Sequence, residues 1–152
     1  MLGAEFKRSQ RYGIPFAIAM ADVDRSKSVN DEHGHPIGDL VLKEIARTMR
    51  DIVRETDCGG RFGGEEFLAV LGSNDVEGGR IFAERWRQGV EAIEVPLPSG
   101  EMLSTSISIG VSAWTPALKS TAEMVERADA ALYMAKGTGR NRVYLAPDDD
   151  ED

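Results

Sequence analysis

The sequence predicts an α/β sandwich, a mixed β-sheet with helices on its faces. Three observations predict it. Apolar runs of strand length alternate along the chain with stretches whose apolar residues recur every three or four positions. One connection, at Gly63-Gly64, is short enough to be a hairpin, so antiparallel neighbours must join the helix-linked strands. A chain of 152 residues, 41% apolar and 29% charged, suits one domain with a real core. Strand ends should gather near the hairpin.

The elements follow in order. Residues 3–12 are polar and basic and read as a short helix, with Phe6 and Tyr12 to pack it; Gly13 and Pro15 stop it. Residues 16–23 are an apolar run and read as a buried strand. Residues 24–36 are polar, contain Gly34 and Pro36, and read as loop and turn. From Gly38 a helix is expected, with Val41, Ile45, Met49 and Ile52 as its stripe and Asp39 in its first turn, where a carboxylate suits the helix dipole. Strand, Gly63-Gly64 turn and strand come next, the adjacent glycines supplying positive φ for a tight turn. Residues 75–90 form a further helix facing inward with Ile81, Phe82, Trp86 and Val90. Pro96, Pro98 and Gly100 make residues 94–102 largely loop. Residues 103–113 alternate, with Ile107, Ile109 and Val111 on one face and Ser106, Ser108 and Gly110 on the other, as in a strand buried on one side. Ser120-Thr121-Ala122-Glu123 fits a capping box for a last helix with Met124, Ala128, Ala131, Leu132 and Ala135 inward. Gly137 and Gly139 end that helix, and residues 143–145 read as an edge strand.

Charge and cysteine content exclude several function classes. The net charge is −8, but Asp148, Asp149, Asp150, Glu151 and Asp152 carry five of those charges, leaving a body of −3. A mildly acidic body argues against nucleic acid as a general partner. Residues 1–147 read as the domain and 148–152 as a disordered acidic tail. The lone Cys58 reads as a small buried residue rather than a nucleophile, and His33 and His35 make no zinc set. The longest apolar run, residues 16–21, is too short to span a bilayer, and no signal segment is visible. The expectation is a cytoplasmic domain without membrane contact of its own, with room for a membrane domain upstream.

The candidate chemistry is acidic. Gly63-Gly64-Glu65-Glu66-Phe67 sets two carboxylates on a turn beside glycines too small to block a bulky anion. It reads either as a solvated acidic hairpin or as a site for a hard cation such as Mg²⁺ carrying phosphates. Asp22 and Asp24 close the first strand and share one side of it. If the two strands are neighbours, Asp22 with Glu65 makes an oxygen-ligand site for one or two Mg²⁺; otherwise each aspartate caps a turn. Lys27, Lys136 and Arg140 are either surface charge or partners for a triphosphate. Asn30 and Asp39 are either local turn and helix-start residues or readers of a base. An ionised aspartate only accepts hydrogen bonds, so Asp39 would favour guanine over adenine.

Four segments resemble one family. Residues 22–39, Asp-Val-Asp-Arg-Ser-Lys-Ser-Val-Asn-Asp-Glu-His-Gly-His-Pro-Ile-Gly-Asp, are similar to the D-x-D-x-F-K-x-x-N-D-x-x-G-H-x-x-G-D segment of GGDEF domains, the bacterial diguanylate cyclases of second-messenger signalling. Arg61-Phe62-Gly63-Gly64-Glu65-Glu66-Phe67 resembles their R-Y-G-G-[DE]-E-F hairpin. Ser106 to Val111 resembles their late S-I-G-V strand, and residues 128–141 their A-D-x-A-L-Y-x-A-K-x-x-G-R-N ending. The resemblance covers about residues 5 to 145 in one order.

It implies a fold like class III nucleotide cyclases and polymerase palms, with a central five-stranded mixed sheet. It implies Mg²⁺-dependent (or Mn²⁺-dependent) condensation of two GTP into cyclic di-GMP and two pyrophosphates across a homodimer. Each subunit would bring one GTP. Carried onto this chain, Asp22, the Val23 carbonyl and Glu65 are implied metal ligands, and Glu66 is a further metal or catalytic carboxylate. Asn30 and Asp39 take guanine; Lys27, Lys136 and Arg140 take phosphates, with Gly63 and Gly64 leaving room for GTP. His35 and Asp129 are implied to be structural. Arg54-Glu55-Thr56-Asp57 is either a solvated ion pair or the R-x-x-D of a product-inhibition site, with Arg85 as a further candidate.

Ser26 replaces the family's usual phenylalanine, which implies less apolar packing beneath the nucleotide, and Gly59 and Gly60 replace an apolar pair, softening that strand. The family's upstream D-x-L-T-G-L-x-N-R segment is absent, which implies a sensor or dimerisation domain outside this chain. The rival readings are a catalytically weak cyclic di-GMP receptor and a cyclase making a mixed guanine–adenine product.

Overall fold

The computed structural model describes residues 2–147; the acidic tail lies outside the described residues. Helix α1 (Leu2–Tyr12) leads into β1 (Ala17–Val23), followed by α2 (Ser26–His33), α3 (His35–Ile52), β2 (Asp57–Arg61) and β3 (Glu66–Leu71). Then come α4 (Val76–Glu91), β4 (Glu94–Pro96), β5 (Met102–Ser104), β6 (Ile107–Ala113), α5 (Thr121–Gly137) and β7 (Val143–Leu145).

Five strands form one sheet in the order β2-β3-β1-β6-β7. β1 runs antiparallel to both β3 and β6, β2 antiparallel to β3, and β7 parallel to β6 at the edge. The expected mixed sheet is therefore present, with β1 at its centre and buried at every position. Alternation along β1 divides the core in two. Ala17, Ala19, Ala21 and Val23 pack with Val41, Ile45 and Met49 of α3 and with Phe82, Trp86 and Val90 of α4. Phe16, Ile18 and Met20 pack on the opposite face with Phe6 of α1 and Met124, Ala128 and Leu132 of α5. Trp86 anchors the first layer, edge-on to Phe67 at 6.2 Å, with its indole N–H donating to the Ile45 carbonyl at 3.3 Å.

The caps agree with the sequence. Asp75 accepts from the Gly78 N–H at 2.8 Å, and Ser120 from the Glu123 N–H at 3.2 Å. The Glu123 carboxylate reaches back to the Lys119 N–H at 3.1 Å, closing the box one residue early.

Several expectations are corrected. Residues 24–36 are not a loop: α2 occupies Ser26–His33, because the breakers Gly34 and Pro36 lie beyond that segment and Val29 docks on the core. α3 begins at His35 rather than Gly38, since proline is tolerated in a first helical turn, and this puts Asp39 beyond that turn. Residues 94–102 contain β4 and one residue of β5, which pair as a small separate sheet and bury Val95. Tyr12 and Ile81 are exposed at 64% and 49%; Ile81 stands off the stripe that Gly79, Phe82, Ala83, Trp86 and Val90 share. Cys58 is half-buried rather than buried. β6 is covered on both faces, with Ser108 and Ser112 inaccessible beneath α5. Gly59 and Gly60 keep their places in β2, paired with Ala69 and Leu68.

No described helix is long and apolar enough to cross a membrane.

Candidate functional site

The site grows from the carboxyl end of β1, where Asp22 and Val23 face opposite sides of the sheet. Asp22 stands in register with Glu66 of β3 and Ser108 of β6, so these three side chains share the α5 face. Lys136, in the last turn of α5, pairs with Asp22 Oδ2. Asp22 Oδ1 is buried and has no hydrogen-bond partner.

Val23 borders a cleft on the other face. Ser26, Val29 and Asn30 of α2 line it with Gly38 and Asp39 of α3 and Glu65 of the hairpin. Asn30 lies directly against Gly38: a Cβ there would come within 1.9 Å of Asn30 Oδ1. Asp39 is exposed. The two glutamates are thus divided, Glu65 lining the α2–α3 cleft and Glu66 opposite Asp22. The strand neighbour of Asp22 is Glu66, not Glu65. The four-residue connection 62–65 is bound to β1 by the Val23 N–H donating to the Glu65 carbonyl at 3.3 Å, and Arg61 reaches across to the Gly64 carbonyl.

Gly63 and Gly64 are both outside the positive-φ region, contrary to the expectation for a tight turn. Their contribution is space: a Cβ on Gly64 would meet nothing within 4 Å, and one on Gly63 only Glu66 Cβ at 3.9 Å.

A second cleft shares Val29 with the first. Asp24, Arg25 and Ser28 line it opposite Arg140 and Asn141. Lys27 is exposed on α2 and lines neither cleft, so of the three expected phosphate partners only Lys136 and Arg140 border the groups just described. His35 and Asp129 are exposed.

Among the described residues no group of three or more His, Cys, Asp or Glu side chains is gathered as a metal cluster. The donor chemistry nevertheless fits a hard cation. A buried carboxylate oxygen without a partner, beside a second carboxylate in register, is the acceptor-only arrangement that Mg²⁺ selects. Lys136 supplies the positive charge that the buried Asp22 otherwise lacks.

Arg54, Asp57 and Arg85 are brought together around a third cleft, with Asn74, Gly78 and Ile81. Asp57 Oδ2 accepts from the Arg54 backbone N–H at 2.9 Å and lies 3.4 Å from its guanidinium, which also donates to the Gly72 carbonyl at 3.2 Å. The Asp57 side chain is 2% exposed while that of Arg54 is 60% exposed, so a fixed carboxylate orients a solvent-facing cation. Asp57 Oδ1 is buried without a partner. Burial pushes the Cys58 thiol up from its ordinary value, which keeps it protonated and agrees with a packing role.

Sequence reasoning passed over two residues. The sequence suggests for Asp24 a place beside Asp22 or a turn-capping role, and for Asn141 only a place in a motif, yet the two are hydrogen-bonded at 2.9 Å. The signal was a second aspartate at the end of a buried strand, a costly placement unless it is fully bonded.

The family model described as "Diguanylate cyclase, GGDEF domain" matches residues 1–142. The chain is 42% identical over 130 residues to diguanylate cyclase A of Treponema denticola, covering 86% of this chain and 35% of that protein. It is similar to the crystal structure of diguanylate cyclase SiaD in complex with its activator SiaC from Pseudomonas aeruginosa, with a TM-score of 0.90 and 43% identity, covering 95% of this chain and 55% of that one. It is also similar to the GGDEF domain of DgcB from Caulobacter crescentus in complex with c-di-GMP, with a TM-score of 0.91 and 30% identity, covering 97% and 84%. The chain spans 35% of that Treponema denticola protein, and 21% and 39% of the length of two other curated relatives it matches.

Proposed function

The chain belongs to the GGDEF family of diguanylate cyclase domains, and on that premise we propose that it condenses two GTP into cyclic di-GMP and two pyrophosphates as a homodimer of GTP-loaded subunits. One observation carries this reading. A single strand end, Asp22-Val23, borders both a cleft lined by Asn30 and Asp39 and a carboxylate pair, Asp22 with Glu66, whose Asp22 is paired with Lys136.

In this reading Asn30 and Asp39 hold guanine, Asp39 accepting from its N1 and N2 donors and repelling the N1 acceptor of adenine. Gly38 leaves the room that Asn30 occupies. Lys136 and Arg140 take the phosphates, and Lys27 joins them only from the exposed side of α2. Asp22, the Val23 carbonyl, Glu65 and Glu66 would hold Mg²⁺ or Mn²⁺. The bound cation would lower the pKa of the attacking hydroxyl and stabilise the leaving phosphate. The 3′-oxygen of one GTP attacks the α-phosphorus of the other. The new P–O bond forms as the α–β bridging bond breaks, pyrophosphate leaves, and Glu66 receives the hydroxyl proton. Repeating the step in the opposite sense closes the ring. Residues 1–147 form the catalytic domain, and a sensor or dimerisation domain upstream brings two copies together.

The test is incubation with GTP and Mg²⁺ over a range of protein concentrations, with the dinucleotide quantified. Product at a rate per subunit that climbs with concentration is expected; tight cyclic di-GMP binding without synthesis would instead assign a receptor. ATP competition read by mass spectrometry excludes or finds a mixed product. We assign product inhibition to Arg54, Asp57 and Arg85, supported by their meeting around one cleft with an oriented cation. In the same assay, Arg54→Ala is expected to leave the initial rate unchanged and raise the concentration of added product needed for half-inhibition about tenfold or more. Unaltered inhibition would overturn that assignment.

Gly38→Ala tests the guanine cleft separately. The new Cβ meets only the far end of Asn30, and alanine favours a helix over glycine by about 1 kcal/mol, so stability should change little. Displacing Asn30 should weaken guanosine binding about tenfold, as loss of a directed hydrogen bond does. Guanosine titration by calorimetry checks it.

A further inference from the structure

The turn that carries Arg140 is built in an unusual way. Arg140 and Asn141, neither of them glycine, both adopt the left-handed conformation, with φ of 63° and 46°. Side-chain-bearing residues rarely occupy that region, and two in succession persist only when surrounding bonds hold them there. The bonds are present. The Arg140 N–H donates to the Ala135 carbonyl at 3.0 Å. The Asn141 N–H donates to Asp24 Oδ2 at 2.9 Å.

Asp24 is 7% exposed, and both of its carboxylate oxygens accept hydrogen bonds. Ser106 Oγ donates to Oδ2 at 2.7 Å and Ser108 Oγ to Oδ1 at 2.6 Å, while the Asp24 N–H donates to the Ser106 carbonyl at 3.0 Å. The Asn141 side chain is held from the other side. Its Oδ1 accepts from Arg87 at 3.1 Å and its Nδ2 donates to Glu91. Arg87 is itself fixed by Glu84 at 3.0 Å and Glu91 at 3.2 Å, and its side chain is only 16% exposed. Every polar group on this path is engaged except the one at its end. The Arg140 guanidinium makes no hydrogen bond or ion pair with the described residues and lines the cleft beside Arg25 and Ser28.

We propose that Asp24, Asn141 and Arg87 are positioning residues that hold the Arg140 turn in its left-handed form and so aim the Arg140 guanidinium at the polyphosphate of the substrate. A free guanidinium on a flexible turn would lose conformational entropy on binding an anion; a turn pinned from β1, β6 and α4 has already lost part of it. Asp24 suits the task because its carboxylate only accepts, and all three groups facing it donate. The inference rests on the proposed GTP reading for the identity of the anion.

The test is a double-mutant cycle on nucleotide affinity. The probe is GTP with methylene in place of the α–β bridging oxygen, which cannot turn over, with guanosine as the base-only control and calorimetry as the readout. Asn141→Gly keeps the positive φ and the N–H to Asp24 but removes the clamp to α4; Asp24→Asn keeps the shape with one acceptor fewer. Each is expected to weaken the GTP analogue about fivefold and to leave guanosine unchanged. In an Arg140→Ala background neither should weaken the analogue further. Thermal melting of each variant confirms the folded state, and because Asn141→Gly adds no strain the cycle stands even if Asp24→Asn fails to fold. Equal losses with and without Arg140 would mean that these residues act on the fold at large, which overturns the inference and leaves the GTP reading intact. If Arg140→Ala itself binds the analogue normally, the phosphate assignment of Arg140 fails and the inference with it.

Discussion

Glu66→Ala is expected to lower dinucleotide synthesis by about 10²–10⁴-fold, the range that a positioned acid–base group contributes. Glu66 is half-buried at the start of β3 and faces Asp22 across the β1–β3 ladder. Its backbone, not its side chain, closes the hairpin, since the Phe62 and Gly63 N–H groups both donate to the Glu66 carbonyl. Truncating the side chain should therefore spare the fold, and the melting temperature should stay within about 2 °C of the parent, as for a surface substitution near ±0.5 kcal/mol. Glu66→Gln, which keeps the volume and removes the charge, should be nearly as inactive. The measurement is product formed from GTP and Mg²⁺ beside a melting curve. An alanine variant that stays fully active would remove Glu66 from the chemistry and leave Asp22 without its partner in that role.

Gly110→Ala is expected to cost about 3 kcal/mol or more, at the upper end of what overpacking a core costs. A Cβ at this position in β6 would lie 2.1 Å from the Ala128 carbonyl oxygen and 2.3 Å from the Leu132 nitrogen. Both are backbone atoms of α5, so no side chain can swing away and the helix itself must move off the sheet. For a chain of this length the melting temperature should fall by about 10 °C. Activity at a temperature where the variant is still folded should fall too, because α5 carries Lys136 to Asp22. A melting temperature unchanged within a degree or two would show that the helix can shift freely and that its seat on Gly110 is not tight.

That same glycine shows where sequence pattern stops. The alternation of Ile107, Ile109 and Val111 with Ser106, Ser108 and Gly110 reads as one buried and one wet face. In the fold both are dry, because a strand lacking bulk on one side lets a helix approach closely and its serines bond inward, Ser108 to Asp24 and Ser112 to the Met124 carbonyl. Ser26–His33 shows the reverse error. Its lone apolar residue, Val29, gives no periodicity to detect, and helix formation there depends on docking against α3. In the hairpin, of the two contributions the sequence suggests for Gly63 and Gly64, positive φ is absent and open space is present.

The sequence by itself determined the order of the major elements, the mixed character of the sheet, the inward stripes of α3 and α5, and the motifs of the family to which the chain belongs. Those follow from local periodicity, capping residues and motif spacing, which are properties of the chain read along its length. Only the tertiary structure decided which carboxylates meet. It put Glu66 rather than Glu65 opposite Asp22, left one Asp22 oxygen without a partner, left Lys27 outside both clefts, and tied Asp24 to Asn141 across 117 residues. Such pairings depend on register and on the close seat of α5, and neither has any signature in the spacing of residues along a single strand or helix.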